Sequence, residues 1–154
     1  MTVRSRSDST PRARILLIGG NKSGLAARKA ILEEQGHKIT TSPGGEDAFD
    51  QFGRGKFDLV VTDYRMAHVD GVGIIQHVRE IDPGVRVILL SGYVEAYGLD
   101  ESNTGADIVL SKGANEVAHL IRAVNRLLRR TSAQRKPPAR QKAPTGVRRR
   151  AAGQ

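Results

Sequence analysis

Apolar and polar residues follow one another along this chain in blocks that switch between two periods. Five short runs have the length and β-branched content of strands: Arg14 to Ile18, His37 to Thr41, Asp58 to Thr62, Val85 to Leu90 and Asp107 to Ser111. The segments between them carry a helical period. From Ser23 to Gln35, the residues Leu25, Ala27, Ile31 and Leu32 share one broad face, with Ser23 expected as N-cap and Gly36 closing the element. After the turn Pro43-Gly44-Gly45, a short helix from Glu46 to Phe52 turns Ala48, Phe49 and Phe52 inward. Ile74, Ile75, Val78 and Ile81 fall on one side of a third helix that Asp82-Pro83-Gly84 stops. Tyr93 to Glu101 is expected to form a fourth, shortened or frayed by Gly98 and the tract Ser102 to Gly105. The clearest stripe runs from Ala114 to Arg130, through Val117, Leu120, Ile121, Val124, Leu127 and Leu128.

Strands alternating with helices require right-handed crossovers and a parallel sheet covered on both faces. The predicted fold class is therefore α/β, a flavodoxin-like doubly wound sheet of five strands in the order 2-1-3-4-5, as a three-layer sandwich. The polar run His37 to Thr41 suits an edge, and the very apolar run Val85 to Leu90 suits a central strand covered on both faces. The expected organisation is a disordered basic leader over 1–12, one domain over 13–130 and a disordered basic tail over 131–154.

Charge changes this picture little once it is divided by region. The chain's formal charge is +9, but nine Lys or Arg and no acid lie between Arg129 and Gln154. Four Arg against Asp8 stand in the first fourteen residues, and 15–128 holds twelve basic and fifteen acidic residues, a net of −3. The folded part gives no reason to expect a nucleic-acid binder, and such contact is assigned only to the basic tail around Arg148-Arg149-Arg150. Cysteine is absent, which excludes disulfides and thiolate metal sites. No apolar run reaches membrane-spanning length and Met1 to Pro11 lacks the apolar core of a secretory signal, so a cytoplasmic, non-membrane protein is expected.

The chemistry gathers at strand ends. The third run delivers Asp63, the fourth ends in Ser91-Gly92 and the fifth in Ser111-Lys112. An acid, a hydroxyl and an ammonium thus stand at the carboxyl edge, where open α/β sheets bind ligands. A carboxylate that carries a phosphoryl group needs such companions, a donor for the phosphate and a cation for its charge. Gly19-Gly20-Asn21-Lys22-Ser23-Gly24 fails both glycine-rich phosphate-loop spacings. His37, His68, His77 and His119 show no metal-ligand spacing.

In this constellation the chain resembles the receiver domain of two-component response regulators. The markers are Asp63 with Met66 and Asp70-Gly71, then Ser91-Gly92-Tyr93, then Leu110-Ser111-Lys112, and the resemblance covers roughly Arg12 to Arg130. It implies that Asp63 accepts a phosphoryl group from a histidine kinase or phosphotransfer protein, while Ser91 and Lys112 contact the phosphate. The site loops would include Gly19, Gly20, Arg65 and Gly92. It implies no enzyme. The expectation is a stand-alone receiver signalling to an output protein by protein contact, with a homodimer through the fourth-helix face as one arrangement. The alternative is a phosphorylation-independent pseudo-receiver used as an interaction module.

Several positions depart from the family. Where receivers place an acidic pair for Mg²⁺, this chain has Gly19-Gly20, leaving Asp63 and the Arg65 carbonyl as donors. Mg²⁺ prefers near-octahedral oxygen ligands including carboxylates, so its binding is expected to be weak. Lys22 is the candidate to supply positive charge in the metal's place. Ala67 and Gly113 replace the usual prolines, and Val109 stands where a switch aromatic is common, which implies an altered output surface.

Overall fold

The computed structural model describes residues 12–135, with side chains described as far as Arg130. Five strands, β1 (Arg14–Ile18), β2 (Lys38–Ser42), β3 (Leu59–Asp63), β4 (Arg86–Ser91) and β5 (Ile108–Ser111), form one sheet. All pairings are parallel and the order is β2-β1-β3-β4-β5. Six helices join them: α1 (Lys22–Glu34), α2 (Gly45–Arg54), α3 (Gly71–Ile81), α4 (Val94–Tyr97), α5 (Glu101–Thr104) and α6 (Glu116–Arg135).

The sheet is buried on both faces, which is why its inner strands are continuously apolar. On one face Ile15, Leu17, Val61, Ile88 and Leu90 pack against Leu25 and Leu32 of α1 and against Leu120, Val124, Leu127 and Leu128 of α6. On the other, Leu16, Ile18, Val60, Val87 and Leu89 meet Ala48 and Phe52 of α2 and Ile74, Ile75 and Val78 of α3. Each aliphatic side chain so buried contributes about 1.5–3 kcal/mol against solvent exposure. As expected, β2 is an edge strand and β4 is covered on both sides, but the centre of the sheet is β3.

Several expectations need correction. The N-cap of α1 is Asn21, whose side chain accepts the Gly24 N–H at 2.9 Å, while Ser23 is exposed inside the helix. Ala27 is also exposed, and the third buried residue of α1 beside Leu25 and Leu32 is Arg28. Ile81 and Val117, assigned to inner stripes, are 53% and 45% exposed, each in the terminal turn of its helix. The fourth helix is two pieces, since Gly98 adopts a left-handed φ of 61° between α4 and α5. Finally, α6 overruns the boundary expected at Arg130 and continues to Arg135. The expected leader and the expected tail bearing Arg148-Arg149-Arg150 otherwise fall on 1–11 and 136–154, outside the described residues.

Candidate functional site

Parallel register builds the rim as a staircase. Asp63 pairs with Leu90, so Ser91 stands one step further along β4; Ser91 pairs with Ser111, so Lys112 follows at the next step. Every residue of β3 is buried, and the strand carries the Asp63 carboxylate to its tip at 3% exposure. Lys112 Nζ lies 3.0 Å from Asp63 Oδ1. The contact is ionic without hydrogen-bond alignment, and Oδ1 is left as a buried oxygen with no directed donor. Ser91 is also buried, but its hydroxyl oxygen accepts the Tyr93 N–H at 2.8 Å, and no bond joins it to Asp63 in this state. The three predicted residues therefore share one edge: Lys112 N–H donates to the Ser91 carbonyl at 3.0 Å, and among their side chains Asp63 and Lys112 form the described contact.

A fourth residue, missed in the sequence, completes the cluster. Side chains on a helix lean toward its N-terminus. The N-terminus of α1 opens from the carboxyl end of β1, so Arg28 leans toward the site. The guanidinium lies against Gly24, one turn earlier, where a Cβ would be in ordinary contact with Arg28 Nη1 at 3.4 Å. Arg28 Nη1 reaches 3.7 Å from Asp63 Oδ1, while its Nε donates to Glu116 Oε2 of α6 at 2.7 Å. The Arg28 side chain is 9% exposed. Lys22, the expected cation, is exposed at the start of the helix and makes no ion pair among those described. The signal in the sequence was the spacing Leu25, Arg28, Leu32, which puts an arginine on the inner stripe.

Gly19 has a steric role. A Cβ at this position would lie 2.5 Å from Asp63 Oδ2, so the carboxylate rests over the bare backbone, whereas a Cβ on Gly20 meets nothing within 4 Å. Among the described residues no group of three His, Cys, Asp or Glu is placed to hold a metal. Next to Asp63, the loop is anchored by Gly71 N–H to the Tyr64 carbonyl at 2.7 Å and by Asp70, which caps α3 through Gly73 N–H at 3.0 Å. Arg65 leaves this loop toward α4, 5.0 Å over the Tyr93 ring and 3.3 Å from the Tyr97 hydroxyl. Tyr93 stacks on Tyr97 at 5.2 Å. Aromatic surface absent at Val109 is thus present on α4, which the sequence reading did not anticipate. Gly92 stands exposed between Ser91 and this pair.

Comparison with known proteins agrees with this geometry. Residues 15–125 match the family model described as "Response regulator receiver domain". The response regulator protein TrrA from Thermotoga maritima, solved in complex with Mg²⁺–BeF, is 31% identical with a TM-score of 0.68, over 75% of this chain and 98% of that one. The receiver domain of the Francisella response regulator 1452 is 26% identical with a TM-score of 0.71, over 78% of this chain and 99% of that one. A gliding motility regulatory protein of Myxococcus xanthus is 29% identical over 80% of this chain and 16% of its own length. The transcriptional regulatory protein ZraR of Escherichia coli is 28% identical over 51% of this chain and 18% of its own. The chain thus spans less than a fifth of either relative. No helix among the described residues is long and apolar enough to cross a membrane. The chain belongs to the response regulator receiver domain family.

Proposed function

We propose that this receiver accepts a phosphoryl group on Asp63 and signals through protein–protein contact. The observation that carries the reading is the 3.0 Å approach of Lys112 Nζ to a buried Asp63 oxygen that has no directed hydrogen bond. Receiver domains are signalling modules, and the donor here would be a histidine kinase or phosphotransfer protein. A carboxylate oxygen of Asp63 attacks phosphorus, the P–N bond to the donor imidazole breaks, and its electron pair returns to the imidazole nitrogen. Ser91, whose hydroxyl hydrogen is free to turn, would donate to the new phosphoryl oxygens, and Lys112 would offset their charge.

The donor set does not fit Mg²⁺. Asp63 is already flanked by two cations, Lys112 and Arg28, and Glu116 is bonded to Arg28, so neither carboxylate is open to a metal. Like unit charges 4 Å apart cost about 4 kcal/mol at an effective dielectric of 20, and a divalent ion doubles that cost. The Mg²⁺ of the TrrA complex is therefore not carried over to this chain.

A test is incubation with acetyl phosphate followed by intact mass measurement. The wild type should gain one phosphoryl group and Asp63→Ala none. A wild type that gains nothing, or an adduct that survives in Asp63→Ala, contradicts the proposal. One observation favours a second reading, a phosphorylation-independent interaction module: Arg28 and Lys112 already neutralise Asp63 in this state. Under that reading the amide spectrum is unchanged by any phosphodonor.

A further inference from the structure

Resting on the reading of Asp63 as the acceptor, we infer that Arg28 is a resident cation and makes this rim a metal-independent site for a phosphoryl-type oxyanion. Four charged groups meet here: Asp63 and Glu116 against Lys112 and Arg28. Their charges cancel, so the rim is balanced before any ion enters. Replacing the carboxylate charge with a phosphoryl group of about −1.5 to −2 leaves an excess of negative charge that a cation must meet. Arg28 is placed for this. Its Nε is committed to Glu116 at 2.7 Å, which fixes the guanidinium plane, while Nη1 stops 3.7 Å short of Asp63 Oδ1. That distance exceeds a hydrogen bond, so the fork holds an unused donor edge facing the carboxylate. A planar guanidinium suits phosphate oxygens better than a point charge does.

Two local features serve this placement. Gly19 leaves the carboxylate room over the backbone, and Glu116, in the first turn of α6 where the helix dipole favours an acid, holds the Arg28 Nε. Glu116 also ties the site to α6, so an anion that draws Arg28 toward Asp63 pulls on that helix.

Beryllofluoride, a phosphoryl mimic that coordinates a carboxylate, is the probe. Its binding to the full chain is followed by fluorine and amide NMR, in chelator and then in millimolar Mg²⁺. The wild type should bind equally well in both, within about threefold, and Arg28→Ala should weaken binding in chelator at least about tenfold, or about 1.4 kcal/mol. Arg28→Leu combined with Glu116→Gln leaves no unpaired charge and should show the same loss in a folded protein. Binding that requires Mg²⁺, or binding in chelator that is indifferent to both variants, overturns the inference while Asp63 stands as acceptor. No binding in either condition, with wild type and Asp63→Asn alike, overturns the acceptor reading and the inference together.

Discussion

At the scale of the residue, Arg28 is where the pattern reading failed, and the reason is physical. Counting apolar residues by type treats arginine as solvent-facing, yet its long stem can pack on an inner stripe while its head finds partners. Beyond Lys112, a second positive charge in the metal's place was given to Lys22, because loop position was the sole guide. The positions of Asp63, Ser91 and Lys112 on one edge were legible, since apolar runs mark where strands end and the receiver resemblance supplied their joint order. The bond from Tyr93 N–H to the Ser91 hydroxyl was not, because it depends on the turn into α4. Gly71 offers a sharp test of the loop beside Asp63: a Cβ there would lie 2.4 Å from the Asp63 carbonyl oxygen and 2.6 Å from Leu89 Cδ1. Gly71→Ala should cost about 1–3 kcal/mol in urea unfolding, whereas Gly113→Ala, with nothing within 4 Å, should stay within about 0.5 kcal/mol.

His37 belongs to the same scale. Its Nδ1 accepts the Ala13 N–H at 3.1 Å, its Nε2 has no partner, and burial holds its pKa below the ordinary 6.5. The unfolded chain therefore takes up a proton first as pH falls. Stability should be flat above about pH 6.5, fall as pH drops through the window down to the lowered folded value, and level off below it. Melting temperatures from neutral to mildly acidic pH check this. His37→Asn, which keeps an acceptor for Ala13, should have a shallower acid slope, and an unchanged slope would assign the loss to other groups.

At the scale of the element, helix boundaries were found to within a few residues, and Gly36, at a φ of 99°, follows α1 as expected, but the N-cap of α1 was missed. Ser23 and Asn21 are both good capping types, and local preference cannot choose between them. In the fold, Asn21 takes the cap and bonds Gly24 N–H. Asn21→Ala should therefore cost about 1 kcal/mol and Ser23→Ala almost nothing, as read by denaturant midpoints. The reverse order would move the start of α1, and with it the lean of Arg28. The broken α4–α5 segment was foreseen as weakness because Gly98 and the Ser-Asn-Thr-Gly tract were visible. Its resolution into two turns, the second closed by a capping box, was not, because Asp100 and Asn103 bond one another only once the backbone has turned at Gly98. The exposed Ile81 and Val117 show the limit of stripe counting: period identifies a face, but not the exposure of its terminal turns.

At the scale of the whole molecule, sheet order was readable because few topologies satisfy five parallel strands with right-handed crossovers. Burial on both faces then follows, and polar groups collect at the sheet's edges, the Asp63 rim lying at the carboxyl edge. The response to an anion at that edge should travel through Glu116 into α6, because Arg28 joins α1, β3 and α6. If so, amide shifts on beryllofluoride binding should include the first turn of α6 in wild type and omit it in Glu116→Gln. Equal α6 shifts in both proteins would show another route.

The most direct measurement is chemical trapping of the acceptor. After incubation with a phosphodonor in the presence of chelator, borohydride reduction converts an aspartyl phosphate to homoserine, which peptide mass spectrometry locates. The account predicts homoserine at position 63 without added metal. An intact aspartate there, both in chelator and in Mg²⁺, would contradict it.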